Sequence, residues 1–215
     1  MFNLVLENLP FLLQGALYTL LITVVSMLLG LVIGIITAIA RLRGPRFVQW
    51  VARAYVSIIR GTPLLVQIVI IYYGLVDYGV TLGSLTAAFI ALSVNAGAYL
   101  SETFRGAILA VPKGQTEAAY AIGMTSWQAL LRIILPQAAR IAIPPMGNTF
   151  IGMLKETSLV SVIGVSELLR QAQLLQAQFY RYMPFYLAIA VIYWVLSTGM
   201  AAILERIERR LNEAY

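Results

Sequence analysis

Long uncharged apolar runs, separated by short charged stretches, constrain this chain more than any other feature. No charged residue lies between Glu7 and Arg41, and none lies between Arg181 and Glu205. Each run is at least as long as the roughly 20 residues that a helix needs to cross a bilayer. The chain is 60% hydrophobic and 11% charged, whereas soluble domains carry about 25% charged residues. The pattern predicts an all-α polytopic membrane protein, folded as one domain over residues 1–215.

Five membrane helices are expected from the positions of the charges. The expected spans are residues 11–40, a segment between residues 60 and 77, and residues 85–109, 141–154 and 182–204. The second helix is expected to begin near Phe47 and to kink or break at Pro63, because proline removes a backbone donor. The fourth span is short and is interrupted by Lys155 and Glu156. The first run exceeds the ~7–15 residues of a signal-peptide core, so we expect it to remain in the membrane.

The basic residues predict the orientation. With five spans, ten of the 15 basic residues fall on one side of the membrane: Arg41, Arg43, Arg46, Arg53, Lys113, Arg132, Arg140, Arg206, Arg209 and Arg210. Lysine and arginine are enriched in cytoplasmic loops, so this side is expected to be the cytoplasm. The N-terminus is then outside, the C-terminus is inside, and a glutamine-rich loop at residues 171–178 is external.

Several kinds of chemistry are disfavoured by residues that the chain lacks. It has no histidine, no cysteine and no G-x-x-x-x-G-K-[ST] phosphate loop. We therefore expect no catalytic residue, no metal site, no bound cofactor and no ATP hydrolysis by this chain. The net charge of +6 is interpreted as basic cytoplasmic loops, and nucleic-acid binding is not expected. A membrane enzyme is the alternative.

The segment at about residues 112–136, called here the docking segment, is predicted to bind another protein. Its pattern indicates a short helix, a turn at Gly123, a second short helix and a break at Pro136. Glu117 is expected to cap the first helix, since a carboxylate is favoured at a helix N-terminus. The expected docking residues are Glu117, Ala118, Ala119, Gly123, Met124 and Trp127. The alternative is an amphipathic helix that lies on the lipid surface.

Polar side chains within the spans are candidates for a substrate pathway, because polar groups at membrane depth usually face an interior or water. Asn95, Tyr99 and Glu102 are spaced four and three apart and so share a helix face. The full candidate set is Gln67, Tyr73, Asn95, Tyr99, Ser101, Glu102, Glu156, Thr157 and Ser158. The alternatives are a local pair between Glu102 and Arg105 and ordinary polar packing between helices.

The docking segment resembles the cytoplasmic E-A-A loop of binding-protein-dependent ABC importer permeases. The pattern E-A-A, three residues, G, nine residues, I-x-L-P is met from Glu117 to Pro136. The stretches R-G-T-P-L-L-V-Q from Arg60 and K-E-T-S-L from Lys155 are similar to signatures of the polar amino acid branch of that family. The resemblance covers roughly residues 10–210.

The resemblance implies a type I importer permease in a bacterial inner membrane. It implies a second permease chain, identical or a sister, and two separate ATPase subunits that use the ATP. It also implies an external solute-binding protein that delivers a polar L-amino acid. The acidic groups Glu102 and Glu156 favour a basic amino acid, and glutamine or another polar amino acid is the alternative. A passive channel or a secondary transporter is the alternative outside this class.

Overall fold

The computed structural model describes the backbone of residues 2–213 and the side chains of residues 3–210. The very ends of the chain, to which the expected orientation of the termini refers, lie outside these residues. The described part contains helices and turns but no strand. Its helices are α1 (Phe2–Glu7), α2 (Leu9–Arg43), α3 (Arg46–Gly61), α4 (Leu64–Tyr72), α5 (Ser84–Ala110), α6 (Lys113–Ala121), α7 (Ser126–Ala129), α8 (Leu135–Glu156), α9 (Leu168–Phe179) and α10 (Met183–Glu213).

Three helices are long and apolar enough to cross a membrane alone, and two bent pairs bring the possible number of spans to five. The single helices are α2, α5 and α10. The bent pairs are Arg46–Gly61 with Leu64–Tyr78, and Ser126–Ile163 with Leu168–Phe179. This architecture agrees with the five expected spans.

Helices α2 and α5 form the centre of the fold, and small residues allow their close approach. A Cβ added to Gly30 would lie 2.7 Å from the Cβ of Ala96, and one on Gly97 would lie 2.5 Å from Cγ2 of Ile33. Neither position has room for a side chain. The close contact of these two helices brings Glu102 of α5 next to Arg41 in the last turn of α2.

The second span breaks where the sequence predicts. Helix α3 begins at Arg46, close to the expected start near Phe47, and ends at Gly61, just before Pro63. The second span bends by 106° between its two helices. Proline disfavours a helical conformation at the residue before it, and Thr62 is extended at φ −121° and ψ 147°.

Two expectations about the second half of the chain are wrong. Residues 171–178 were expected to form a loop, but they lie within α9. Leu168, Ala172 and Leu175 recur at helical spacing and are buried in a core with Leu12 and Phe185, so an apolar face overrides the polar composition. The glutamines that suggested a loop belong to the same helix.

The expected break at Pro136 is also absent. A π turn at Leu130–Ile134 leads directly into α8, and the Leu135 N–H donates to the Leu130 carbonyl. A proline ring clashes with the carbonyl four residues earlier, which here belongs to Arg132 inside the wider π turn. The helix therefore passes Pro136 without ending, and Pro144 and Pro145 also lie inside α8.

Candidate functional site

The docking segment forms two short helices joined by the turn at Gly123. Gly123 has φ +81°, a conformation that glycine adopts without steric cost. Its N–H donates to the Tyr120 carbonyl at 3.0 Å, and the Met124 N–H donates to the Ala119 carbonyl at 3.0 Å. This pair of hydrogen bonds is a Schellman motif, which ends α6 and reverses the chain. The predicted glycine turn is confirmed.

The second short helix begins with a capping box. The Thr125 Oγ1 accepts from the Gln128 N–H at 3.3 Å, and the Gln128 Oε1 accepts from the Thr125 N–H at 2.8 Å. Glu117 does not cap the first helix, contrary to expectation. Helix α6 begins at Lys113, four residues earlier, and Pro112 occupies the N-cap position. The start was misplaced because Lys113 and Gly114 carry no capping signal.

The docking segment presents an apolar surface. Ala119 is buried, whereas Glu117, Ala118 and Gly123 are exposed and Met124 is half-buried. The large exposed apolar side chains of this segment are Tyr120, Ile122, Trp127 and Leu131. The rest of the chain therefore leaves four large apolar side chains of this segment uncovered.

Arg43 connects the docking segment to the end of the first span. Its guanidinium lies 5.8 Å from the centroid of the Trp127 ring. Its Nη2 also donates to the Ser126 carbonyl at 3.4 Å. The sequence analysis counted Arg43 only as a basic loop residue, because nothing local links it to a residue 83 positions away.

Glu102 lies among three arginines, and these four residues are called here the Glu102 cluster. Arg41 Nη1 is 2.7 Å from Glu102 Oε1, and Arg60 Nη1 is 3.7 Å from the same oxygen. Arg105 donates to Glu102 Oε2 from Nε at 3.0 Å and from Nη2 at 2.9 Å. The expected local pair of Glu102 with Arg105 is present. Arg41 from α2 and Arg60 from α3 are further partners of Glu102. One carboxylate with three guanidiniums gives the cluster a formal charge of +2, so Glu102 is already neutralised.

Gln67 and Asn95 form a buried hydrogen-bonded brace at the break of the second span. Gln67 Nε2 donates to the Ile59 carbonyl at 2.8 Å and to the carbonyl and hydroxyl of Thr62 at 3.1 and 2.9 Å. Asn95 Nδ2 donates to Gln67 Oε1 at 3.0 Å. The brace satisfies backbone carbonyls that the interrupted helix leaves free. It connects the bent span to α5.

The other candidates on α4 and α5 differ in accessibility. Tyr99 is exposed, and the Arg60 guanidinium lies 5.3 Å from its ring centroid. Tyr73 is also exposed and packs edge-on against Tyr72. Ser101 is fully buried and donates to the Ala98 carbonyl within its own helix at 2.9 Å. The structure therefore brings Tyr99 and Glu102 together and leaves Ser101 inside the helix packing.

The interruption of the fourth span places one acid on the surface of the chain. Glu156 and Lys155 are exposed, and within the described residues they form no ion pair with each other. Thr157 is buried and donates to the Leu154 carbonyl at 2.7 Å, and Ser158 donates to the Lys155 carbonyl at 2.7 Å. These hydroxyls satisfy the carbonyls at the end of α8. Glu156 is thus an acidic candidate without an ion pair among the described side chains, although the charge of the adjacent Lys155 acts on it.

Glu167 is a buried polar residue that the sequence analysis missed. It is fully buried at the N-cap of α9 and accepts from the Leu169 and Arg170 N–H groups at 2.9 and 2.8 Å. The Tyr193 hydroxyl donates to it at 2.8 Å, which ties α9 to α10. An acid before an apolar helical pattern is a start signal that could have identified it. Its role here is to join helices.

The helices together define a polytopic membrane protein that carries the short helices of the docking segment, α6 and α7, between α5 and α8. Residues 30–213 match the family of binding-protein-dependent transport system inner membrane components. The chain belongs to this family, and it is an amino acid ABC importer permease that passes several times through the inner membrane.

Proteins of known function and known structure agree with this assignment. The chain is 48% identical to the L-cystine transport system permease protein of Bacillus subtilis, covering 94% of this chain and 87% of that one. It is 40% identical to the glutamine transport system permease protein of Escherichia coli, covering 94% of each. A crystal structure of an amino acid ABC transporter with histidines has a TM-score of 0.95 at 40% identity, covering 98% of both chains.

A more distant structure supports the type I importer fold alone. A chain of the inward-facing MetNI methionine ABC transporter superposes with a TM-score of 0.80 at 24% identity. Membership of the family implies ATPase and binding-protein partners and a dimeric permease.

Proposed function

We propose that this chain imports a polar L-amino acid by alternating access, driven by two separate ATPase subunits that bind its docking segment. The observation that carries this proposal is the docking segment itself, with exposed Tyr120, Ile122 and Trp127 next to a hydrogen-bonded turn at Gly123. The chain has no phosphate loop, so the ATP is used by the partners. Closure of two ATPases then moves two permease chains as rigid bodies.

The proposed orientation places the docking segment in the cytoplasm and the N-terminus outside. Arg41 and Arg43 end α2, and Lys113 begins α6, on the side where the docking segment lies. The positive-inside rule favours the cytoplasm for that side. An external solute-binding protein would deliver the amino acid to the opposite face.

The side chain of the transported amino acid is proposed from the acidic residues. Glu102 already has Arg41, Arg60 and Arg105 as partners, so it is not available to a cationic substrate. Glu156 forms no ion pair among the described residues, although the charge of the adjacent Lys155 acts on it, and a cationic substrate would further offset the cost of its charge near the pathway. We propose a basic amino acid, with Glu156 as the residue that favours it. The neutralised Glu102 supports a neutral polar amino acid such as glutamine as the second candidate.

The test uses proteoliposomes that contain the complete complex, with ATP inside and binding protein outside. A panel of labelled amino acids is offered to the native complex and to the Glu156→Gln and Asp77→Asn variants. The second is the matched control, because it neutralises an exposed acid outside the candidate set. ATP-dependent uptake of arginine or lysine above glutamine, reduced selectively by Glu156→Gln, is expected. Equal loss for basic and neutral amino acids would overturn the role of Glu156. Uphill uptake by permease without ATPase would overturn the importer mechanism.

A further inference from the structure

The last turn of α2 contacts two functional regions at once. Arg41 reaches Glu102 on α5 at 2.7 Å. Arg43, two residues later, reaches Ser126 and Trp127 of the docking segment. Residues two apart on an α-helix are rotated by about 200° around the helix axis, so their side chains point to nearly opposite sides. One helical turn can therefore hold a partner on each side.

The two contacts differ in burial. The Arg41 side chain is 12% exposed, and its partner Glu102 is 22% exposed. The contact between Arg43 and Ser126 is at the surface, and 56% of Trp127 is exposed. An ATPase that covers Trp127 would remove water from the contact with Arg43, and a cation over an aromatic ring gains strength when it is desolvated. The contact thus strengthens when the partner is bound.

The Glu102 cluster continues the connection to the bent second span. Arg60 lies 3.7 Å from Glu102 and is the penultimate residue of α3, directly before the break at Pro63. The Gln67–Asn95 brace holds the other side of that break against α5. A displacement of the docking segment can thus reach the break through packed and paired side chains.

We propose that Arg43 is a positioning residue that sets the orientation of the docking segment relative to α2, and that Arg41 passes this orientation to the Glu102 cluster. The proposal rests on the proposed function, because it assumes that ATPases act on the docking segment. Arg43 would act through its contacts with Ser126 and Trp127, and the proposal needs no contact with substrate or nucleotide. The effect of Arg43 is on how much transport each hydrolysed ATP produces.

The test measures ATP hydrolysed per amino acid imported by the complete complex in proteoliposomes. Arg43→Gln is expected to raise this ratio about two- to fivefold, the range that an exposed cation–π contact supports. Arg43→Lys keeps a cation over Trp127 and is expected to restore most of the coupling. Arg46→Gln is the matched control, because Arg46 is exposed and makes no hydrogen bond or ion pair among the described side chains. An unchanged ratio in Arg43→Gln would overturn the positioning role.

A double-mutant cycle tests the connection through α2. Arg43→Gln is combined with Arg60→Gln, which leaves the buried pair of Arg41 and Glu102 in place. The effects on the coupling ratio are expected to be non-additive, although residues 43 and 60 share no hydrogen bond or ion pair among the described residues. Additive effects would refute the connection while leaving the importer function intact. Absence of ATP-dependent uptake by the native complex would instead refute the proposed function.

Discussion

Replacement of Gly123 tests whether the shape of the docking segment governs ATPase binding. A Cβ at this position would meet no atom within 4 Å, yet the backbone has φ +81°. The cost of Gly123→Ala is therefore conformational, with no steric contribution from neighbours. The hydrogen bonds of the Schellman motif, from the Gly123 and Met124 N–H groups to the Tyr120 and Ala119 carbonyls, depend on this backbone conformation.

The expected magnitude follows from this conformational cost. An L-residue in the left-handed region costs roughly 1–2 kcal/mol. That free energy corresponds to about a 5- to 30-fold change in an equilibrium constant. If the ATPase binds only the native turn, its apparent affinity falls by up to that factor, because affinity scales with the population that is competent to bind.

The assay titrates purified ATPase onto the permease in lipid nanodiscs. Gly123→Ala is compared with Gly123→Asn, which tolerates the left-handed region better and is expected to lose less affinity. Gly114→Ala is the matched control, since Gly114 lies in α6 with open space around it and no positive φ. Alanine favours a helix more than glycine does, so this control should bind at least as tightly as the native chain.

Equal affinities for Gly123→Ala and Gly114→Ala would refute the reasoning. The conclusion would be that ATPase binding does not depend on the conformation of the turn, or that the docking segment is not the binding site. Equal losses for the alanine and asparagine variants would show that an added side chain disturbs binding directly, independent of backbone conformation.

Two further predictions concern the scaffold that positions these regions. Asn95→Ala leaves Gln67 Oε1 without its donor, and we expect a loss of about 1–3 kcal/mol in unfolding free energy, visible as a lower melting temperature in detergent. A melting temperature equal to that of the native chain would contradict the brace. Gly97→Val places a side chain against Ile33 and is expected to cost about 1–3 kcal/mol by overpacking, while Gly106→Ala on the same helix, with open space around it, should be neutral or stabilising. Similar melting temperatures for both variants would contradict the close packing of α2 and α5.

Much of the docking segment could be predicted because its signals are local. Gly123 supplies a conformation that few other residues adopt, and Pro63 disfavours the helical state at the residue before it. The predictions for Pro136 and for residues 171–178 were wrong because the surrounding helix structure outweighed a local signal. Pro136 was expected to end a helix, yet the π turn before it removes the clash. The glutamines of α9 suggested a loop, yet buried Leu168 and Leu175 anchor a helix.

The sequence by itself determined the class of fold, the number of spans and the position of the docking segment. Each follows from hydropathy, charge or turn chemistry within a short window. Only the tertiary structure decided which charges meet. Glu102 pairs with Arg41 and Arg60. Glu167 accepts a hydrogen bond from the Tyr193 hydroxyl, and the Arg43 guanidinium lies over the Trp127 ring. These partners are distant along the chain, so their contacts depend on how closely whole helices pack.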